Sequence, residues 1–117
     1  MILTIPEPPP SWRPIYSGMH YRTRMALANK WHALVREAAL SVQAGEAETP
    51  VTITVTANYP DARRRDPDNI CAKFLVDGLV HAGVIPDDSD QYVSSVTTRI
   101  TRDRSRPRET VVTIEAA

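Results

Sequence analysis

Residues 51–69 read VTITVTANYPDARRRDPDN, and the architecture turns on how that stretch changes character. Its first half alternates Val51, Ile53 and Val55 with threonines, the period of a strand with one buried face. Its second half runs three arginines into two aspartates that flank a proline. Beyond it, Ile70, Phe74, Leu75, Val76, Leu79 and Val80 make an apolar helical face, and Gly83 stands where a helix C-terminal cap belongs. The expected order is strand, charged loop, then a helix over about 69–82.

Working outward, Leu27, Ala28, Trp31, Leu34, Val35, Ala38 and Val42 recur at helical spacing, with Thr23 as a candidate N-cap and Gly45 as a stop. Ahead of them, ILTI at 2–5 reads as a short strand. The segment PEPPPSWRP that follows holds five prolines, too few backbone donors for regular structure, so residues to about Met19 are expected to form a surface strap. Towards the C-terminus, 91–102 and 110–115 alternate as two strands, expected to pair as a hairpin through a basic turn near DRSRPRE. The whole is a single α+β domain over 1–117, ordered β-α-β-α-β-β, with a mixed sheet and helices packed on one face.

Hydrophobic residues at 42% and charged residues at 24% suit a folded globular chain of 117 residues. One cysteine, Cys71, excludes an internal disulfide, and no Cys/His set has zinc spacing. The first ten residues resemble no signal peptide, and no run approaches the roughly 18 apolar residues of a membrane span. The expectation is a cytoplasmic protein with no membrane partner. Formal net charge is zero, but its distribution is uneven. Twelve of the fourteen basic residues are arginine, eight of them at 63–65 and at 99, 102, 104, 106 and 108.

An Asp at an N-cap followed by Pro at the first helical position describes an ordinary helix start. That reading explains neither Arg63, Arg64 and Arg65 before it nor PDDSD some twenty residues later. If 66–68 is still extended, alternation sends Asp66 and Asp68 to the same side of the chain. Carboxylates brought together repel unless a cation lies between them, and Mg²⁺ is the hard, oxygen-seeking ion that suits such a cluster. Arginines that grip phosphate beside a metal that activates water are the parts of a phosphodiesterase.

The motif RRRDPDN, then Lys73, DGL at 77–79, AG at 82–83 and DD at 87–88, together with the strand leading into IPEPPPSWRP, resembles the RusA family of Holliday-junction resolvases. The likeness spans most of the chain, and the middle third carries nearly all its specificity. It implies that Asp66, Asp68 and Asp88 are catalytic, metal-holding carboxylates and that Lys73 is a catalytic lysine. Asp87 is a weaker match. Lys73 falls seven residues after Asp66, one more than the family spacing; a helix that starts later keeps the lysine in place. The resemblance further implies Mg²⁺, with Mn²⁺ as a substitute, four-way-junction DNA as partner, and a homodimer whose twofold axis matches the junction.

Arg63, Arg64, Arg65 and Arg102 are the candidate DNA contacts, the other arginines of 99–108 reading as a soluble hairpin edge kept from aggregating by charge. His20, His32 and His81 read as scattered helix or surface histidines, Cys71 and Trp31 as core residues, and Trp12, Tyr16 and Tyr21 as exposed aromatics able to serve a dimer. Two rival readings stand beside the nuclease: a dimer that grips branched DNA without cutting it, and a structural helix start with acidic surface loops.

Overall fold

The computed structural model describes residues 1–117. Its elements are β1 (Ile2–Ile5), α1 (Trp12–Tyr16), α2 (Tyr21–Ser41), β2 (Val51–Asn58), a 3₁₀ turn (Pro67–Asn69), α3 (Lys73–His81), β3 (Val93–Thr101) and β4 (Glu109–Ala116). The α+β class and the mixed sheet are as expected. The strand order β1-β4-β2-β3 is not: β3 runs parallel to β2, while β4 lies on the other side of β2, antiparallel to it. The expected β3–β4 hairpin is therefore absent.

The reason lies at the end of β2. Asn58 is buried, and its amide nitrogen donates to the carbonyls of Asp103, Arg106 and Pro107, while its Oδ1 accepts from Thr101 Oγ1 and the Asp103 N–H. The 102–108 segment wraps around this side chain and crosses the end of β2. A tight turn would have paired β3 with β4 directly; a buried amide inside the loop holds it open across an intervening strand instead.

Paired residues share a face, so rows of side chains cross the sheet. Leu3, Val112, Val55 and Thr98 form one row, Ile5, Thr110, Ala57 and Ile100 the next. This face carries the core, with Trp31, Val35, Ala38 and Ala39 of α2 and Phe74, Leu75, Val76 and Leu79 of α3 in one apolar cluster. Gly78 lets the helices approach closely: a Cβ there would stand 3.0 Å from Val35 Cβ.

Both helices begin and end away from their expected limits. His20, not Thr23, caps α2, its Nδ1 accepting from the Arg22 N–H at 3.1 Å. Its end is a Schellman motif, with Gln43 N–H donating to the Leu40 carbonyl and Ala44 N–H to the Ala39 carbonyl. Gln43 takes the left-handed conformation at φ 52° that glycine usually supplies, so the helix stops before Gly45 and leaves Val42 half exposed. Gly83, at φ 76°, closes α3 by the same two bonds, as expected of it.

The expected continuous helix over 69–82 is broken. The strap claims residues 70–71 first: Ser11 bridges Ile70, and the Cys71 N–H donates to the Pro10 carbonyl at 2.8 Å. Helical bonding resumes only from the Ala72 carbonyl, so α3 starts at Lys73. The strap itself contains the short helix α1, which the proline count concealed.

Candidate functional site

Asp66 is extended, at φ −105° and ψ 126°, and Pro67 opens the 3₁₀ turn after it. Although Asp66 holds the N-cap position, its carboxylate makes no capping bond. Its one ion-pair partner is the highly exposed Arg64, at 3.5 Å. The helix-start reading thus accounts for the backbone here and leaves the carboxylate unused. Asp68 is exposed within the turn. Thr98 Oγ1 donates to the Pro67 carbonyl at 2.8 Å, fastening the turn over the core face of edge strand β3.

A cleft of about 420 Å³ lies beside this turn, lined by Ser11, Arg13, Tyr59, Arg64, Arg65, Asp66, Asn69, Ile70 and Ile100. Its walls come from both ends of the fold. Asn69 Oδ1 accepts from the Arg13 N–H at 3.0 Å, so the strap is held directly against the acidic motif.

Asp61 organises the opposite wall. Its carboxylate accepts from both terminal nitrogens of Arg65, at 2.6 and 3.1 Å, from Arg108 at 3.0 Å and from the Arg63 N–H at 3.0 Å. Hydrogen bonding from Arg65 above all, then from the Arg63 backbone, holds the Asp61 carboxyl well below the usual carboxylate range. Arg65 lies 3.8 Å over the Tyr59 ring, a cation–π contact. Burial pushes the Tyr59 phenol up, against the opposing pull of Arg65 and Arg108. Arg102 donates to the Asp61 carbonyl at 2.7 Å. Of the four candidate DNA-contacting arginines, Arg65 is committed to this hub, Arg102 leans on its backbone, and Arg63 and Arg64 are exposed.

Lys73 is the first residue of α3 and more than half exposed, with Nζ 3.6 Å from Asp77. The helix starts later than the expected residue 69, so Lys73 stands at its head. Asp88 lies elsewhere, in the exposed loop before β3. The 3₁₀ turn is fastened to Thr98, midway along β3, whereas Asp88 lies in the loop that precedes the first residue of that strand, Val93. No three acidic, histidine or cysteine side chains of the chain lie close enough together to share a metal ion. Asp66 and Asp68 are the carboxylates this loop offers, and Asp88 is not brought to them within one chain. Asp87 is held low by the Ser89 hydroxyl and the Asp88 backbone.

Sequence reasoning passed over Arg13, Tyr59 and Asp61. Asp61 had a signal, an acid four residues ahead of Arg65; Arg13 had none, since only the fold carries the strap to residue 69. The histidines are also less scattered than expected: His32 and His81 stack with centroids 4.3 Å apart, and burial, then His81, lowers the His32 imidazole while Asp77 opposes. Cys71 is fully buried, and burial raises its thiol. Trp31 is a core residue as expected.

Over 36 residues, 31% of its length, the chain is 58% identical to the crossover junction endodeoxyribonuclease RusA of Enterobacteria phage HK97. That stretch spans 29% of the phage protein. No family model matches the chain. The likeness to RusA read from the motifs is borne out over that stretch. No helix is long and apolar enough to cross a membrane.

Proposed function

We propose that this chain is a structure-selective endonuclease that hydrolyses phosphodiesters at four-way DNA junctions, using Mg²⁺, and acting as a homodimer. The observation that carries the reading is the 58% identity to a crossover junction endodeoxyribonuclease. The Asp66 carboxylate, which makes no capping bond, meets only the exposed Arg64 and lines an arginine-bearing cleft, supports it. Asp66 and Asp68 would hold the ion, and Asp88, which one chain does not bring to them, would join them as third ligand only across the subunit boundary of the dimer. A bound divalent ion would lower the pKa of water and offset charge on the scissile phosphate. Mn²⁺ is expected to substitute.

The remaining roles fall to the chain's own groups. Lys73, exposed at the head of α3, would balance negative charge that builds on the phosphate. Arg63, Arg64 and Arg102 would position the backbone through phosphate contacts, which carry register without base identity. Arg65 would instead hold the wall, because Asp61 and Tyr59 already occupy its guanidinium. A C2 dimer would present two such sites to the two opposed strands of a junction.

That no three acidic side chains of one chain converge on a common point favours a second reading, a dimer that grips branched DNA without cutting it. Cleavage of a synthetic mobile four-way junction in Mg²⁺ decides between them. The nuclease reading expects paired nicks by the wild type, none by Asp68→Asn or Asp88→Asn, and junction binding by all three. Binding without nicks by the wild type assigns the second reading. Nicking by Asp88→Asn at the wild-type rate removes Asp88 from the site.

A further inference from the structure

The strap holds a feature that neither the metal site nor the arginine hub uses. Tyr16 is 79% exposed, yet it is fixed: its ring stacks on Trp12 with centroids 5.5 Å apart and planes 17° from parallel. Trp12 in turn packs against the core. One face of the tyrosine is therefore covered by an anchored indole, and the other is turned outward. Arg13 stands three residues before Tyr16 on the same short helix, hence on the same side of it. Its side chain makes no ion pair within the chain, and it lines the cleft with Arg64 and Asp66. The helix cannot drift from that cleft, because Pro10, Ser11 and Arg13 are tied to Cys71, Ile70 and Asn69.

A rigid, open π face beside an unpaired guanidinium matches one nucleotide of a strand that has left its stack. The base would extend the Trp12–Tyr16 stack, and the phosphate would meet Arg13. Aromatic platforms of this kind bind every base, because each has a π face, and they discriminate against continuous duplex, whose bases are already stacked. We infer that residues 11–16 form a finger that captures an unstacked nucleotide at the DNA branch point, with Tyr16 as stacking platform and Arg13 as phosphate contact. The inference rests on the branched-DNA reading above and adds to it a selectivity element outside the metal-holding residues. A second copy of the chain seated on Tyr16 is the competing occupant. The flanking cations Arg13 and Arg64 favour a polyanion.

The test measures binding in EDTA, so that no strand is cut, using a four-way junction and a continuous duplex of equal length. The proteins are the wild type, Tyr16→Ala, Tyr16→Phe and Arg13→Ala, each checked for folding by circular dichroism and for mass by sedimentation. Tyr16→Ala is expected to weaken junction binding roughly ten-fold, the loss of one stacked base, and to leave duplex binding unchanged. Tyr16→Phe should bind as the wild type, and Arg13→Ala should weaken both ligands. Junction binding by Tyr16→Ala equal to wild type overturns the inference, whereas nicking in Mg²⁺ tests the nuclease reading independently. A Tyr16→Ala protein that sediments at half the wild-type mass assigns the face to a second copy and also overturns it. A wild type that binds junction no better than duplex removes both the finger and the branched-DNA reading.

Discussion

Replacing Asn58 by alanine should cost more than any exposed substitution in this protein, and the cost can be worked from its bonds. The amide has two N–H groups shared among three carbonyls and an oxygen that accepts two donors, at 2.8 to 3.3 Å. That is about four hydrogen bonds, each with a net value of about 1 kcal/mol. Water can reach part of the 102–108 loop once it loosens, so the expected loss is about 2–4 kcal/mol. For a chain of this length, unfolding entropy is about 0.25 kcal/mol/K, and a loss of about 3 kcal/mol lowers Tm by about 12 °C. Urea denaturation and a calorimetric scan measure both quantities. Under the proposed branched-DNA reading, the substitution should also weaken junction binding in the surviving folded fraction, because the same loop carries Arg102 and Arg108 to Asp61. A loss below about 1 kcal/mol would refute the claim that Asn58 holds the crossover, leaving loop length alone to place β4.

Further outcomes follow from other contacts. Gly78→Ala should destabilise by about 1–3 kcal/mol, since its Cβ would meet Val35 on the facing helix at 3.0 Å; a neutral urea midpoint would show that α2 and α3 can move apart freely. Gln43→Gly should stabilise by about 0.5–1 kcal/mol by relieving the left-handed backbone, read as a rise in Tm. Asp61 has a folded pKa below its unfolded value. Its contribution is therefore full above about pH 4, the unfolded carboxylate range, and is lost as pH falls towards the depressed folded value. Asp61→Asn should accordingly flatten the dependence of the urea midpoint on pH below about 4, and an unchanged acid limb would contradict the hub. Cys71 should resist a thiol reagent in the native state and react once urea unfolds the chain.

Much was legible in one dimension because periodicity is local. The alternation of Val51, Ile53 and Val55 predicts β2 and its buried face, the spacing of Phe74, Leu75 and Leu79 predicts the core face of α3, and Gly83 marks its end, all as found. The charged motif itself was legible too, since RRRDPDN needs no folding to be read. Periodicity states which way a side chain points and is silent on which strand lies beside it. Hence β3 and β4 read as a hairpin, when Asn58 places β2 between them. Local pattern likewise extended α3 back to residue 69, when bonds from the strap, some sixty residues earlier, had already taken 70–71.

The residue types of the site were set by sequence alone: three arginines, two carboxylates around Pro67, and a lysine at 73. Which of them are free was decided by tertiary structure, because a guanidinium's availability depends on every carboxylate and ring the fold brings near it. Asp61 and Tyr59 occupy Arg65, while Arg13 arrives from the other end of the chain to stand in the same cleft.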